Sequence, residues 1–160
     1  VPEEIIVGII GVETIYGRNT GNFQAVSALA TLAFDYPRRA ELFRGELESL
    51  LLMAREQHRD PLDYQGSYAG ALGLPQFLPS SVRNYAVDFD GDGQIDLLGS
   101  PKDAIGSVAR YMQMHGWEAG GPVAVRASSS ITVWKWASTP GASSTSCMEA
   151  SAGRPAPGRA

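Results

Sequence analysis

Gly8-Ile9-Ile10-Gly11-Val12-Glu13-Thr14-Ile15-Tyr16-Gly17 is the stretch on which the reading of this chain turns. With Pro2, Glu3 and Glu4 ahead of it, the segment predicts a helix over residues 2–16. Proline suits the first helical position, and acidic residues in the first turn complement the helix dipole. Ile5, Ile6, Ile9, Ile10 and Val12 recur at the spacing of a buried helical stripe, and Gly17 marks its end. Glu13 follows Ile9 by four residues and Ile10 by three, which predicts a carboxylate pointing along that stripe. Desolvation disfavours the ionised form, and that is how a glutamic acid stays protonated near neutral pH to serve as a general acid. The plainer alternative is a charge at a helix end that turns into solvent or pairs with Arg18.

Working outward, Ala25 to Leu32 predicts a short helix, and Tyr36-Pro37 starts a longer one with Phe43, Leu47, Leu50, Leu51 and Ala54 as its apolar residues, ending before Pro61. Arg59 to Pro79 is rich in Gly, Pro, Ser and Tyr and predicts an irregular connection. Connections of that length usually line something. Ser80 or Ser81 is a candidate cap for a short helix through Tyr85. Ser100-Pro101 caps one more helix, in which Ile105, Val108, Ala109 and Met112 form an apolar face ending at Gly116. The pattern is that of a mainly α protein.

Between these helices, Asp88-Phe89-Asp90-Gly91-Asp92-Gly93-Gln94-Ile95-Asp96 places carboxylates at loop positions 1, 3, 5 and 9, with glycine at 6 and an apolar residue at 8. This is the calcium-loop pattern of an EF-hand, in which a hard cation gathers oxygens and Gln94 contributes its backbone carbonyl. Position 12 is Gly99 where a closing Glu is usual, and the nearest later carboxylate is Asp103. Asp103 also completes a Ser100-x-x-Asp103 capping box. The alternative for the whole loop is a solvated Asp-Gly turn, against which stands the repulsion of closely packed like charges.

The 160 residues are 44% hydrophobic and 19% charged, which suits one globular domain. A net charge of −4 offers no basic stripe for a nucleic-acid backbone. The longest apolar stretch, Ile5 to Val12, is too short to span a bilayer. Cys147 has no internal partner for a disulfide. After about Ala127 Ser, Thr, Ala, Gly, Pro and Arg dominate and Trp134 and Trp136 stand isolated, so residues 128–160 are expected to be a low-complexity tail, disordered or out of frame.

A second string, Gly66-Ser67-Tyr68-Ala69-Gly70-Ala71-Leu72-Gly73-Leu74-Pro75-Gln76-Phe77-Leu78-Pro79-Ser80-Ser81, followed by Tyr85-Ala86-Val87-Asp88, joins the first. Together with Tyr36-Pro37-Arg38-Arg39-Ala40-Glu41 they closely resemble the membrane-bound lytic transglycosylase B family and its soluble relatives, from about Val1 to Ala127. The resemblance implies a lysozyme-like helical catalytic core, mainly α within an α+β frame, carrying an EF-hand-like calcium loop at 88–103. It implies that Glu13 is the single acid and base, protonating the glycosidic oxygen between N-acetylmuramic acid and N-acetylglucosamine and then taking the proton of the muramyl C6 hydroxyl. One carboxylate suffices because no water needs a separate base, unlike the paired carboxylates of most glycosidases.

By the same resemblance Ser67 and Gln76 line the glycan cleft, with Arg38, Arg39 and Tyr111 at cleft-side positions. The loop pattern predicts calcium held by Asp88, Asp90, Asp92, Gln94 and Asp96, and the resemblance implies Asp103 as the terminal ligand from a longer loop. Each residue has a plainer reading. Ser67 and Gln76 satisfy backbone groups in an irregular loop, Arg38 and Arg39 are solvated or paired with Glu41, and Tyr111 belongs to the core. Family members continue past Ala127 and many carry a helical region before Val1, so a partial catalytic domain is expected over 1–127. The implied partner is peptidoglycan, in the periplasm or at the outer membrane of a Gram-negative bacterium, with lipid anchoring of the parent left open. A lysozyme-type hydrolase and a non-catalytic calcium-stabilised glycan-binding fragment are the alternatives.

Overall fold

In the computed structural model, which describes residues 1–124, the first element is helix α1, Glu3–Thr14. Pro2 is its N-cap, and Ile15 ends it in a left-handed conformation, φ 51° and ψ 50°, with its N–H donating to the Gly11 carbonyl. α1 is buried along Ile6, Ile10 and Thr14, while Ile5 and Ile9 pack on the flank of the core. Val12, which the spacing counts in the stripe, is 85% exposed. At roughly 100° per residue it lies on the side of the helix away from Ile6 and Ile10.

α2, Ala25–Asp35, runs past the expected end at Leu32 and buries Ala25, Leu29 and Ala33. Pro37 disfavours helical backbone at Tyr36, so α2 stops there. The chain restarts as a single 3-10 turn, Pro37–Arg39, before α3, Ala40–Glu56. α3 buries Phe43, Glu46, Leu50, Met53 and Ala54 and packs against α2 as the most extensive helix pair of the fold. Leu51 was expected in that face and is largely exposed, because the buried row passes through Glu46, Leu50 and Met53 instead.

The segment expected to be irregular is more ordered than its composition predicts. Pro61–Asp63 forms a 3-10 turn capped by the Asp60 carboxylate, which accepts from the Leu62 N–H at 2.8 Å. β1, Phe23–Gln24, then pairs antiparallel with β2, Gln65–Gly66, with Phe23 opposite Gly66 and Gln24 opposite Gln65. Bridges from Gly66 to Leu72 and from Leu72 to Phe77 continue this narrow sheet. Two-residue strands leave no period to read. The bend at Gly70 requires glycine on two counts: its φ is +79°, and a Cβ there would stand 2.5 Å from the side chain of Leu29.

α4, Pro79–Tyr85, corrects the expected cap. Leu78 is the N-cap and supplies no side-chain hydrogen bond. Instead Glu46 of α3, only 5% exposed, accepts from the Ser80 N–H at 2.9 Å and from the Ser80 hydroxyl at 2.7 Å. α5, Pro101–Met114, does begin as expected: the Ser100 hydroxyl accepts from the Asp103 N–H at 3.3 Å. Its buried row is Ala104, Val108 and Met112, whereas Ile105 is 40% exposed. Leu29, Leu50 and Val108, contributed by α2, α3 and α5, are the centre of the core. Each is worth about 1.5–3 kcal/mol by its removal from water.

Among the described residues no helix is long and apolar enough to cross a membrane. The tail at 128–160, with Trp134, Trp136 and Cys147, lies outside the described residues.

Candidate functional site

Glu13 occupies the penultimate position of α1 and is exposed. The expectation that it lies along the buried stripe needs correction: the buried row is centred on Ile10, and Glu13 sits about 60° round the helix from that centre. With Glu4, Ile5, Gly8, Ile9 and Val12 it lines an open depression of about 390 Å³. This is a carboxylate beside an apolar floor rather than within a core. A more enclosed cavity of about 210 Å³ lies between the end of α3, residues 63–65 and residues 95–98. Ser67 and Gln76 line neither space, and the depression is the better candidate for glycan chemistry because it alone of the two holds Glu13.

Directly after Glu13 comes a residue that sequence reasoning passed over. Thr14 is fully buried, and its hydroxyl lies 3.0 Å from the Leu74 carbonyl and 3.2 Å from that of Ile10, while accepting from the Gly17 N–H at 3.1 Å. In the other direction, Gln76 donates through Nε2 to the Thr20 carbonyl at 3.1 Å and to its own Gly73 carbonyl at 3.0 Å. Gln76 itself adopts a left-handed φ of 52°. The exit turn of α1 and the 73–76 segment are thus tied to each other from both sides. Long-range pairing of this kind leaves no periodic trace, and the signal available was a Thr at a buried helical position.

Ser67 accepts from the Ala69 N–H at 3.3 Å and the Ala71 N–H at 3.1 Å, shaping the tight turn between β2 and Leu72. The plainer readings of Ser67 and Gln76 therefore describe part of what they do. Among the described residues the Ser67 hydroxyl proton and Gln76 Oε1 have no partner. Arg38 and Arg39 are exposed in the 3-10 turn, and neither forms an ion pair with Glu41 among the described residues. Tyr111 is half-buried in an aromatic group: its ring centroid lies 5.3 Å from Phe77, 5.1 Å from Tyr85 and 4.1 Å from His115, on which it stacks. Burial, then the neighbouring Tyr85, raises the Tyr111 pKa above the usual phenol value.

In the acidic loop the structure brings together Asp88, Asp90 and Asp103, each offering an oxygen within 4.8 Å of the others. Asp92, Gln94 and Asp96 are not part of that cluster; the Asp92 carboxylate accepts from the Gln94 N–H and the Asp96 carboxylate from the Leu98 and Gly99 N–H groups. Asp103 is 1% exposed and accepts from Phe89 N–H at 2.8 Å, Asp96 N–H at 2.9 Å and Asp90 N–H at 3.4 Å. Burial pushes its pKa up, but the hydrogen bonds from Asp96, Phe89, Asp90 and Ser100 outweigh it and hold the carboxyl below the ordinary aspartate range. The capping box is half-formed. The Ser100 N–H donates to the Asp96 carbonyl, not to Asp103. Three clustered carboxylates, one of them buried and anionic, form a donor set that suits a hard divalent cation.

Comparison with known proteins agrees with this construction. A family model described as the transglycosylase SLT domain matches residues 1–154. Membrane-bound lytic murein transglycosylase B of Escherichia coli (strain K12) is 62% identical over 127 residues, covering 79% of this chain and 35% of that protein. The crystal structure of soluble lytic transglycosylase SltB1 from Pseudomonas aeruginosa superposes with a TM-score of 0.74 at 65% identity, covering 76% of this chain and 41% of that one. The Escherichia coli lytic transglycosylase SLT35, in a structure with calcium, gives a TM-score of 0.73 at 61% identity, covering 76% and 39%. The chain thus spans well under half the length of these relatives. A mainly helical frame, an acid closing its first helix and a family match along nearly the whole sequence agree: the chain belongs to the transglycosylase SLT domain family.

Proposed function

We propose that this chain is the acid-bearing part of a peptidoglycan lytic transglycosylase, with Glu13 as its acid and base. The observation that carries the reading is the position of Glu13 at the end of α1, on an apolar depression and beside an exit turn that two hydrogen bonds tie to the loop presenting Gln76. The murein transglycosylase activity in the name of the E. coli relative supports it. In the reaction Glu13 donates its proton to the oxygen of the bond between N-acetylmuramic acid and N-acetylglucosamine as that bond breaks. The resulting carboxylate then takes the proton of the muramyl C6 hydroxyl while that oxygen bonds to C1. The product is a 1,6-anhydro sugar, and the acid is restored without a water.

Gln76 Oε1, held by the backbone bonds of Nε2, and the proton of the Ser67 hydroxyl, whose oxygen accepts from the Ala69 and Ala71 N–H groups, are proposed to orient sugar and acetamido groups. Arg38, Arg39 and Tyr111 are proposed to border the same cleft, Tyr111 doing so from the edge of its aromatic group. Asp88, Asp90 and Asp103 would hold calcium, with Asp92, the Gln94 carbonyl and Asp96 joining as the loop closes on the ion. The cation would supply only structural charge compensation, between the Gln76 segment and α5. The name of the E. coli relative, which is membrane-bound, supports a site of action at the bacterial envelope.

Murein digestion by the full-length protein and by Glu13→Gln, read by mass spectrometry, tests the reading. Anhydro-muropeptides should appear with the unaltered protein and vanish with the variant. Products heavier by one water would indicate the lysozyme-type hydrolase. Undiminished release by Glu13→Gln would refute the assignment.

A further inference from the structure

Resting on that reading, we propose that Thr14 is a positioning residue: its buried hydroxyl sets the direction of the Glu13 carboxylate relative to the Gln76 loop. The hydroxyl makes contacts to two segments at once, reaching the Leu74 carbonyl at 3.0 Å and receiving the Gly17 N–H at 3.1 Å. The Thr14 carbonyl receives the Asn19 N–H at 2.9 Å, so both polar ends of this residue are engaged in closing the turn.

The turn it closes is strained. Ile15, Tyr16 and Gly17 follow one another at φ values of 51°, 56° and 86°. Consecutive left-handed residues are unfavourable for L side chains, and for a β-branched isoleucine most of all. Such backbone persists only where its surroundings over-determine it. Thr14 supplies one constraint. Leu74 supplies another, since a Cβ on Gly17 would stand 2.7 Å from the Leu74 side chain. The bond from Gln76 to the Thr20 carbonyl closes the far end. A helix whose last turn is held this way presents its penultimate side chain in one direction. Without the hydroxyl, the turn can relax, and Glu13 and Gln76 lose their common reference. A simple structural threonine would stabilise the fold without any special effect on turnover.

The test separates the two. In the full-length protein Thr14→Ser keeps the hydroxyl, Thr14→Cys matches serine in shape but donates and accepts weakly, and Thr14→Val removes the hydrogen bond at nearly constant volume. Val108→Ala, in the core of α5 away from the turn, serves as a control for lost stability. Anhydro-muropeptide release is measured well below every Tm, with kcat and KM determined separately. A displacement of about 1 Å costs on the order of a hundredfold, so kcat should fall roughly 10- to 100-fold in Thr14→Val with KM nearly unchanged. Thr14→Ser should stay near the unaltered protein, Thr14→Cys should fall between, and Val108→Ala should keep its kcat despite a lower Tm. If Thr14→Val does not fold, the Ser and Cys variants decide alone. Ranking by Tm rather than by hydrogen-bonding strength, or equal kcat for Ser and Cys, would overturn the proposal. Full activity in Glu13→Gln would overturn the underlying reading and this inference with it.

Discussion

Replacing Asp103 by Asn changes one buried atom and tests how the acidic loop is held. In the native carboxylate one oxygen accepts from Phe89 and Asp90, and the other accepts from Asp96 at 2.9 Å. An asparagine oxygen can replace the first, but its amide then faces the Asp96 N–H, donor against donor. One charge-assisted hydrogen bond is lost, the part-buried Asp96 N–H is set against the new amide, and the remaining bonds weaken. At about 1.5–3 kcal/mol for a bond to a charged group, the expected total is about 3 kcal/mol. For a unit of this size that corresponds to a fall in Tm of about 12 °C, taking about 4 °C per kcal/mol.

The measurement is thermal unfolding followed by circular dichroism in chelator, so that no metal contributes. pH sharpens it. The folded pKa of Asp103 lies below its ordinary value of 3.8, so its contribution is present above that pH and is lost as pH falls through the lower folded value. The gap between the two proteins should therefore close under strong acid. Restoring calcium should raise the Tm of the unaltered protein more than that of the variant. A Tm difference in chelator of less than about 3 °C would refute the hydrogen-bond account.

Glu46→Ala should destabilise by about 2–4 kcal/mol in urea unfolding, because the part-buried Ser80 N–H and hydroxyl both lose the buried carboxylate they donate to and the α3–α4 contact loses its cap. Ser80→Ala, which keeps the N–H bond, should cost less. At alkaline pH, Tyr64 and Tyr111 should contribute a loss of stability as pH rises above their usual value of 10.0 toward their raised folded values. Burial is the larger cause in both. Tyr111→Phe should flatten that slope, measured by unfolding across the alkaline range.

The local elements were legible because their causes are local. Tyr36-Pro37, read as the start of the long helix, instead ends α2 and opens a 3-10 turn, whereas the Ser100-Pro101 start of α5 follows from capping and from proline's own geometry. So does the acidic loop, whose Asp-Gly spacing is visible without any partner. What misled was the assumption that apolar spacing equals burial. Val12, Leu51 and Ile105 all match a helical stripe and are exposed, while Glu46 breaks the pattern and is buried. Burial depends on what packs against the helix, and for Glu46 the reason is a serine 34 residues away.

The site divides along the same line. The sequence by itself determined which helix carries Glu13, which loop carries Ser67 and Gln76 and which loop gathers carboxylates, because residue type and short-range spacing encode those features. Only the tertiary structure decided that Glu13 stands at an open surface, that Asp103 is held by three backbone amides, and that Thr14 and Gln76 lace the two strings together. The contacts of Thr14 and Gln76 join residues 60 and 56 positions apart and those of Asp103 span 7 to 14, and hydrogen-bond partners beyond the reach of a helical turn are chosen by the fold as a whole.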